Sequence, residues 1–424
     1  RDRQLKNPDL LTPLLPLGKH GEVHCTTCHD PHSNRLGNFL REPQLRATIC
    51  LSCHQMKGWD LGAHARSSAP VHDRAVDPRE VLPYNTVADN ACTNCHKIHG
   101  AEKPERLLRF RREEQNCLNC HNGSVAHKNI AGEVRKRSGH LVELYNGIHD
   151  AAEDTRLSAR HVECVDCHNP HGATVDRPSV IGQPSLGVVS GATRFVSGID
   201  RSGVAVANSR FEYEICFKCH GDAVTRPRVT DIPRQVMQTN TRLEFQPVNP
   251  SFHPVIGPRN NSEVVSLIPP WRPSSMMRCT DCHNSDQAGN PLTTQGPHGS
   301  IYVPLLIANY TTRDFTTESP QAYALCYRCH DRTSILGDRS FQLHNRHVVR
   351  DRAPCAACHD SHGISRLQGN STNHSNLINF DVAIVQPATG GLGTRIVYED
   401  RGPRRGTCTL TCHGVVHVNF EYGG

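Results

Sequence analysis

The chain has little of what normally fills a protein interior. Only 36% of its 424 residues are hydrophobic and 5% are aromatic, with four methionines and two tryptophans. Average globular chains are roughly 45–50% apolar. The sequence therefore predicts that a bulky apolar group other than side chains occupies part of the interior.

Long apolar runs are also missing. A membrane-spanning helix needs roughly 20 apolar residues, and the run IYVPLLIANY at 301–310 is shorter and contains Pro304. We expect a chain that is not embedded in a membrane. It starts at Arg1 without an apolar leader, so we expect a mature, exported product. Basic stripes interleaved with aromatic residues are absent too, which argues against nucleic acid as a partner.

Cysteine and histidine, in contrast, are abundant, with 20 and 28 residues. The string C-x-x-C-H, the attachment signal of c-type haem, occurs nine times, and a variant with one extra residue, CTLTCH, closes the series at 408–413. We interpret the variant as a tenth site whose backbone bulges by one residue. The cysteines predicted to form thioethers are Cys25, Cys28, Cys50, Cys53, Cys92, Cys95, Cys117, Cys120, Cys164, Cys167, Cys216, Cys219, Cys279, Cys282, Cys326, Cys329, Cys355, Cys358, Cys408 and Cys412.

The histidine after each second cysteine is the expected proximal iron ligand. These are His29, His54, His96, His121, His168, His220, His283, His330, His359 and His413. Zinc ribbons do not require a histidine at this position every time, and a disulfide framework explains neither the histidine nor the spacing. Ten haem c groups are therefore the predicted cofactors, while calcium binding stays undetermined by the sequence.

The motifs fall into five doubled units, each with a first and a second attachment site. The distance between the first cysteines of the two sites is 25 residues in the first two units and 52, 47 and 53 residues in the others. Alternating apolar residues with Gly and Pro predict short strands or hairpins in the longer spacers. The proposed units cover approximately residues 1–60, 61–130, 131–225, 226–335 and 336–424.

Each iron needs a sixth ligand. Methionine is excluded as a general choice because the chain holds only four. A second histidine, here called the post-motif histidine, follows the first site of each unit, at His32, His99, His171, His298 and His362. His298 lies 15 residues after His283 instead of three, and we interpret it as the same ligand on a longer loop.

Five more sixth ligands are expected from the segment that leads into each unit, and we call these lead-in histidines. The preferred residues are His20, His64, His161, His253 and His347. The reserve candidates are His24, His72, His140, His149, His344 and His417.

Strings such as HVECVDCHNPHG and ACTNCHKIHG resemble the multihaem c-type cytochromes with doubled C-x-x-C-H motifs, here with ten haems. Members of that group serve as extracellular or outer-surface electron conduits, and some polymerise into filaments. The resemblance implies mostly irregular backbone with short helices and a few short β-hairpins, wrapped around a chain of stacked haems. The 28 prolines and 32 glycines agree with this expectation.

The resemblance implies electron transfer rather than enzyme activity. We expect ten mainly bis-histidine haems in an extracellular or cell-surface protein, either a filament (nanowire) subunit or an outer-surface conduit. Its expected partners are redox proteins, extracellular electron acceptors and further copies of itself. A periplasmic electron shuttle is the alternative, and a multihaem reductase of a small nitrogen or sulfur oxyanion is less favoured.

Overall fold

Short elements joined by irregular backbone make up the chain, as expected. The computed structural model describes residues 4–7, 11, 13–71, 82–101, 106–144, 153–175, 180–189, 191–222, 232–258, 263–290, 292–389 and 395–423. His72 and His149 lie outside this described part. None of the described helices is long and apolar enough to cross a membrane.

The helices are mostly single turns, and several are the attachment motifs themselves. One helical turn brings the two cysteines of C-x-x-C to the same side of the backbone. The described α-helices are α1 (Cys25–Cys28), α2 (Thr48–Leu51), α3 (Ala63–Arg66), α4 (Val87–Asn90), α5 (Glu113–Leu118), α6 (Ile130–Val134), α7 (Cys164–Cys167), α8 (Glu212–His220), α9 (Thr241–Glu244), α10 (Arg332–Leu336) and α11 (Cys355–Cys358).

Tighter or wider turns take the remaining helical positions. The 3₁₀ turns are Leu45–Ala47, Trp59–Leu61, Ala91–Asn94, Gly191–Thr193, Cys279–Asp281, Cys326–Arg328 and Ser375–Leu377, and a π-helical turn covers Asn345–Arg350.

The strands are short except at the C-terminus. They are β1 (Ser138–Gly139), β2 (Gly198–Ile199), β3 (Ala205–Val206), β4 (Ser251–Phe252), β5 (Gly299–Ser300), β6 (Gly363–Ile364), β7 (Val385–Gln386), β8 (Val397–Asp400), β9 (Gly406–Cys412) and β10 (Val415–Tyr422). All described pairings are antiparallel: β1 with β5, β2 with β3, β4 with β6, and a four-stranded sheet in which β9 pairs with β7, β8 and β10.

The hairpin expected in the first long spacer is present as β2 and β3. The other two spacers contain the expected short strands, but these pair with strands outside their own spacer. There, β5 pairs with β1 of the preceding unit, while β7 and β8 both pair with the C-terminal β9. Sequence alternation predicted strands but could not identify such distant partners.

Buried apolar side chains form small separate clusters rather than one core. The largest groups Ile199, Tyr213, Phe217, Phe245, Val255 and Ile256. A second joins Phe380, Val385, Tyr398 and Leu410 beside Cys358, Cys408 and Cys412. Such scattered clusters fit a chain in which much of the apolar interior belongs to a cofactor.

Candidate haem sites

The nine regular motifs share one backbone geometry. At eight of them the histidine N–H donates to the carbonyl of the first cysteine, at 2.8–3.0 Å, and the ninth, at Cys216, lies within α8. The cysteines come to one side of a turn, and the histidine follows directly. All 20 thiols are free of disulfides, so every motif retains the two sulfur atoms that haem attachment uses.

Hydrogen bonds orient the proximal imidazoles. The Nδ1 atoms of His29, His96, His168, His283 and His359 lie 2.8–3.1 Å from backbone carbonyl oxygens. A carbonyl only accepts, so Nδ1 carries the proton and Nε2 keeps its lone pair. The same arrangement orients histidine ligands in metal sites generally.

Seven of the proximal histidines each face a second histidine. Two imidazoles on opposite sides of one iron, with bonds of about 2 Å, have ring centres about 6 Å apart. The observed distances between ring centres are 5.8–6.4 Å. The pairs are His29–His99, His96–His171, His121–His64, His168–His298, His220–His140, His283–His362 and His359–His344.

The post-motif histidines follow a strict register. Each faces the first site of the preceding unit: His99 faces His29, His171 faces His96, His298 faces His168 and His362 faces His283. His298 keeps this register despite its longer loop. His32, in the first unit, faces none of the proximal histidines in the described part of the chain.

The lead-in histidines follow a second register. In the second and third units, His64 faces His121 and His140 faces His220, each the second site of the same unit. In the fourth unit His253 and His330 line one cavity together with Cys326 and Cys329. That cavity has apolar walls from residues such as Trp271 and brings together both thiols of the motif, the proximal histidine and its counterpart, which is the set of groups that a haem site needs.

Backbone contacts fix these lead-in rings. The Nδ1 atoms of His64 and His140 lie 2.8 Å from the carbonyl oxygens of Pro170 and Pro297, and Nδ1 of His253 bonds the carbonyl of Ser361. Each acceptor immediately precedes the post-motif histidine of the next unit. The pairings β1–β5 and β4–β6 reinforce two of these three contacts, so neighbouring units dock through one repeated interaction.

The structure does not place two of the preferred lead-in residues, His161 and His347, opposite a proximal histidine. In the third unit His140 faces His220, whereas His161 has its Nε2 atom 3.0 Å from Glu153 Oε1. In the fifth unit His344 faces His359, whereas His347 stacks on Phe341 with ring centres 5.8 Å apart. The reason is long-range, because pairing of β1 with β5 carries His140 to its position.

The remaining candidates lie at the ends of the chain. The His20 backbone N–H is 2.9 Å from Glu22 Oε2, and the Nε2 atom of His24 lies close to Gly18. The His417 ring contacts Phe420 with ring centres 5.2 Å apart. None of these three rings is paired with a proximal histidine in the described part of the chain.

Within each unit the second cysteines of the two sites are close neighbours. Burial, and then the thiol of Cys120, raise the pKa of the Cys95 thiol to about 11. The same two causes raise the pKa of Cys28 beside Cys53, of Cys282 beside Cys329, and of Cys358 beside Cys412. Cys167 has a raised pKa of about 12 and is close to Cys219, although the Lys218 ammonium opposes this shift.

Between units the first cysteines are close neighbours. Interaction with the Cys92 thiol raises the pKa of Cys50. The equivalent interactions of Cys117 with Cys164, of Cys216 with Cys279, and of Cys355 with Cys326 each raise the pKa of the first-named thiol. The two kinds of neighbour alternate, so the ten motifs follow one another in space in the order of the sequence.

The last motif differs from the other nine. Its cysteines lie in the extended strand β9, where four residues span about 13 Å at a rise of about 3.3 Å per residue. The bulged turn expected for the extra residue is therefore not present. The His413 Nε2 atom lies 2.9 and 3.0 Å from the Asp314 carboxylate oxygens, and Phe315 stacks on its ring. In this conformation the residues do not present the haem-binding arrangement of the other nine.

Comparisons with known proteins agree with the motifs. Residues 18–58 and 85–126 match the doubled CXXCH motif family, and residues 200–375 match the outer membrane cytochrome MtrC/MtrF-like family, domains II/IV. The multiheme cytochrome MtrA of Shewanella baltica is 29% identical over 178 residues, which cover 39% of this chain. The match spans 40% of that relative's length.

No solved structure matches the chain significantly. The two family matches together reach all five units, and each falls on attachment motifs described above. Motif, geometry and similarity therefore agree: the chain is a multihaem c-type cytochrome with doubled CXXCH motifs.

Proposed function

We propose that the chain conducts electrons through ten covalently bound, mainly bis-histidine haems, and does so at the outer surface of a cell or outside it. The observation that carries this proposal is the unbroken series of neighbouring thiols from Cys28 to Cys412. Electron exchange between cofactors needs close approach, and this order puts each attachment site next to the following one.

Ligation supports conduction over catalysis. An iron with two histidine ligands has no open position for a substrate, so the protein supplies spacing, orientation and electrostatic environment. Seven facing histidine pairs are compatible with such ligation. We assign His253 to the His330 site, and His20 or His24 to the His54 site.

The five doubled units act as repeats of one conducting element in this proposal. The second, third and fourth units each contribute a post-motif histidine to the unit before and a lead-in histidine to their own second site, and the fifth unit contributes His362 to the unit before it. The tenth haem, at Cys408 and Cys412, completes the fifth unit, and its attachment requires β9 to give up part of its extended conformation. The proximity of Cys358 to Cys412 supports its position in the series.

The similar proteins favour a location at the outer surface. One matching family is described as outer membrane cytochromes, and the similar MtrA is named a multiheme cytochrome. We propose an exported protein that passes electrons to redox partners or extracellular acceptors, as a filament subunit or an outer-surface conduit. A periplasmic shuttle is the alternative.

Film voltammetry and ferric spectra of the haem-loaded protein test the function. We expect reversible exchange with all haems, low-spin iron, and no catalytic current with nitrite or sulfite. A catalytic wave accompanied by high-spin iron would identify a reductase instead. Cell fractionation then separates an extracellular protein from a periplasmic shuttle.

A further inference from the structure

Four buried carboxylates lie where the second unit meets the third. Two of them begin α5, which carries an attachment cysteine of the second unit, and two lie at the start of α7, the first motif of the third unit. They are Glu113, Glu114, Glu163 and Asp166, each at most 7% exposed. Carboxylates are almost never buried to this extent unless they are paired, so this cluster requires an explanation.

Glu163 is the member with the least compensation. It is 1% exposed, and neither of its carboxylate oxygens has a hydrogen-bond partner in the described part of the chain. Burial, and then the carboxylates of Glu113 and Glu114, raise the pKa of the Glu163 carboxyl to about 9. The Cys164 thiol and the Asp166 carboxylate act in the same direction.

The cations that border the cluster contact other groups. Arg112 Nε lies 3.4 Å from Glu114 Oε1, and Arg106 Nη1 lies 3.7 Å from Glu113 Oε2. The Lys218 ammonium donates to a backbone carbonyl of α7. None of these three contacts involves the carboxylate at the N-cap of α7, so negative charge is in excess at that position.

The next junction along the chain carries the opposite charge at the same position. Arg278 directly precedes the first cysteine of the fourth unit, as Glu163 does in the third. The backbone N–H of Glu163 donates to Asp166 Oδ2 at 2.8 Å, and that of Arg278 donates to Asp281 Oδ2 at 2.8 Å. The Arg278 guanidinium, however, also pairs with Asp281 at 3.0 Å. The two turns share this backbone contact and differ in the sign of one charge.

We propose that Glu163 is a proton-binding site coupled to electron transfer, which takes up one proton when a neighbouring haem is reduced and releases it on reoxidation. This inference rests on the proposed function. The cluster borders two successive attachment sites, because Glu113 acts on the Cys117 thiol and the Cys164 thiol acts on Glu163.

The step is balanced in charge. One electron enters an iron, and one proton from water binds a carboxylate oxygen of Glu163, whose O–H bond breaks again when the electron leaves. Reduction adds a negative charge beside a cluster that already has an excess of it, and this favours the protonated carboxyl. Because the reduced state then binds the proton more tightly, the potential of the haem must fall as pH rises.

Spectroelectrochemistry of the haem-loaded protein at pH values from about 6 to about 10 measures this coupling, well above the ordinary carboxyl pKa of about 4. Glu163→Gln keeps the backbone contact but cannot ionise, so the affected component should stay at the potential that the wild type reaches at low pH. Glu163→Arg, which copies the fourth unit, should also lose the pH dependence.

Glu214→Gln is the matched control. Glu214 is also buried in a helix that carries an attachment motif, but its Oε2 atom accepts from the backbone N–H groups of Arg210 and Phe211 at 2.6 and 3.1 Å. This variant should keep the pH dependence of the wild type. Unchanged pH dependence in Glu163→Gln would overturn the proposal.

Infrared spectra provide a readout that needs no variant to establish the proton. The reduced-minus-oxidised spectrum of the wild type should gain a carboxylic acid C=O band that shifts in D₂O. The band should be absent from Glu163→Gln and present in Glu214→Gln. Its persistence in Glu163→Gln, or its absence from the wild type, would refute the proton site alone, whereas a catalytic wave with nitrite or sulfite would refute the proposed function.

Discussion

His168 and His298 face each other with ring centres 5.8 Å apart and planes inclined by 15°, although they belong to different units. His298 reaches this position on a loop much longer than those of the other post-motif histidines. His298 is half-buried, and its Nδ1 atom is shielded from solvent. The register between units thus survives an insertion in the loop that carries the ligand.

Replacement of His298 tests this register directly. We expect His298→Ala to leave the iron at His168 without a sixth ligand, so that one haem becomes high-spin and binds cyanide. His298→Met should restore low spin and raise the potential of that haem alone. Ferric absorption and EPR spectra measure both effects. Low-spin iron throughout His298→Ala would show that another residue is the ligand, and His127→Ala serves as control.

The irregular fold could be predicted from the sequence because it depends on local composition and spacing, on which the predicted nine regular attachment sites and five units also rest. The sequence could not choose between His140 and His161, since the choice depends on β1 pairing with β5 some 160 residues away. Likewise, nothing in CTLTCH signals that the motif forms a strand, because β9 is stabilised by β7, β8 and β10. The register of the repeats, which says which unit supplies each ligand, is the sequence signal that could have been used to choose between such histidines.

The last motif gives a prediction about haem number. The covalent mass of the loaded protein should correspond to ten haems, and Cys408→Ala/Cys412→Ala should lose one haem and retain nine. Thr409→Ala, in the same strand, should retain ten. A wild-type mass with nine haems would mean that the strand conformation of β9 persists and that Asp314 remains the partner of His413.

Arg234 gives a prediction about stability in the fifth unit. Its buried guanidinium donates to the carbonyl oxygens of Ala356, Asn379 and His359 at 2.6–2.9 Å. Arg234→Met leaves these acceptors without their donor, and we expect the free energy of unfolding to fall by about 3 kcal/mol. Arg46→Met, which removes an exposed pair with Asp89, should cost far less because solvent screens that pair. Denaturant titration of both variants measures the difference.

Acid should weaken the contact between Asp222 and Arg242. Hydrogen bonds from the Arg242 guanidinium lower the pKa of the Asp222 carboxyl, despite an opposing effect of partial burial. A lowered pKa in the folded state means that the contact stabilises the fold above the unfolded pKa of about 4 and is lost as pH falls below it. Asp222→Asn should therefore flatten the acid limb of the unfolding curve. An unchanged acid limb would assign that pH dependence to other carboxyls.

Glu244 gives a prediction about a single haem potential. Its Oε2 atom lies 2.9 Å from Nδ1 of His362, and the carboxylate is almost fully buried. A carboxylate at Nδ1 makes the imidazole a stronger donor to iron and favours the ferric state, whereas the Nδ1 atoms of His64 and His140 lie beside neutral carbonyl oxygens. Glu244→Gln should therefore raise the potential of the haem at His283 and leave the others in place. Spectroelectrochemistry resolves one shifted component.

Glu318→Gln, at a buried carboxylate paired with Arg332, is the matched control. An equal shift in that variant would assign the effect to a general loss of charge.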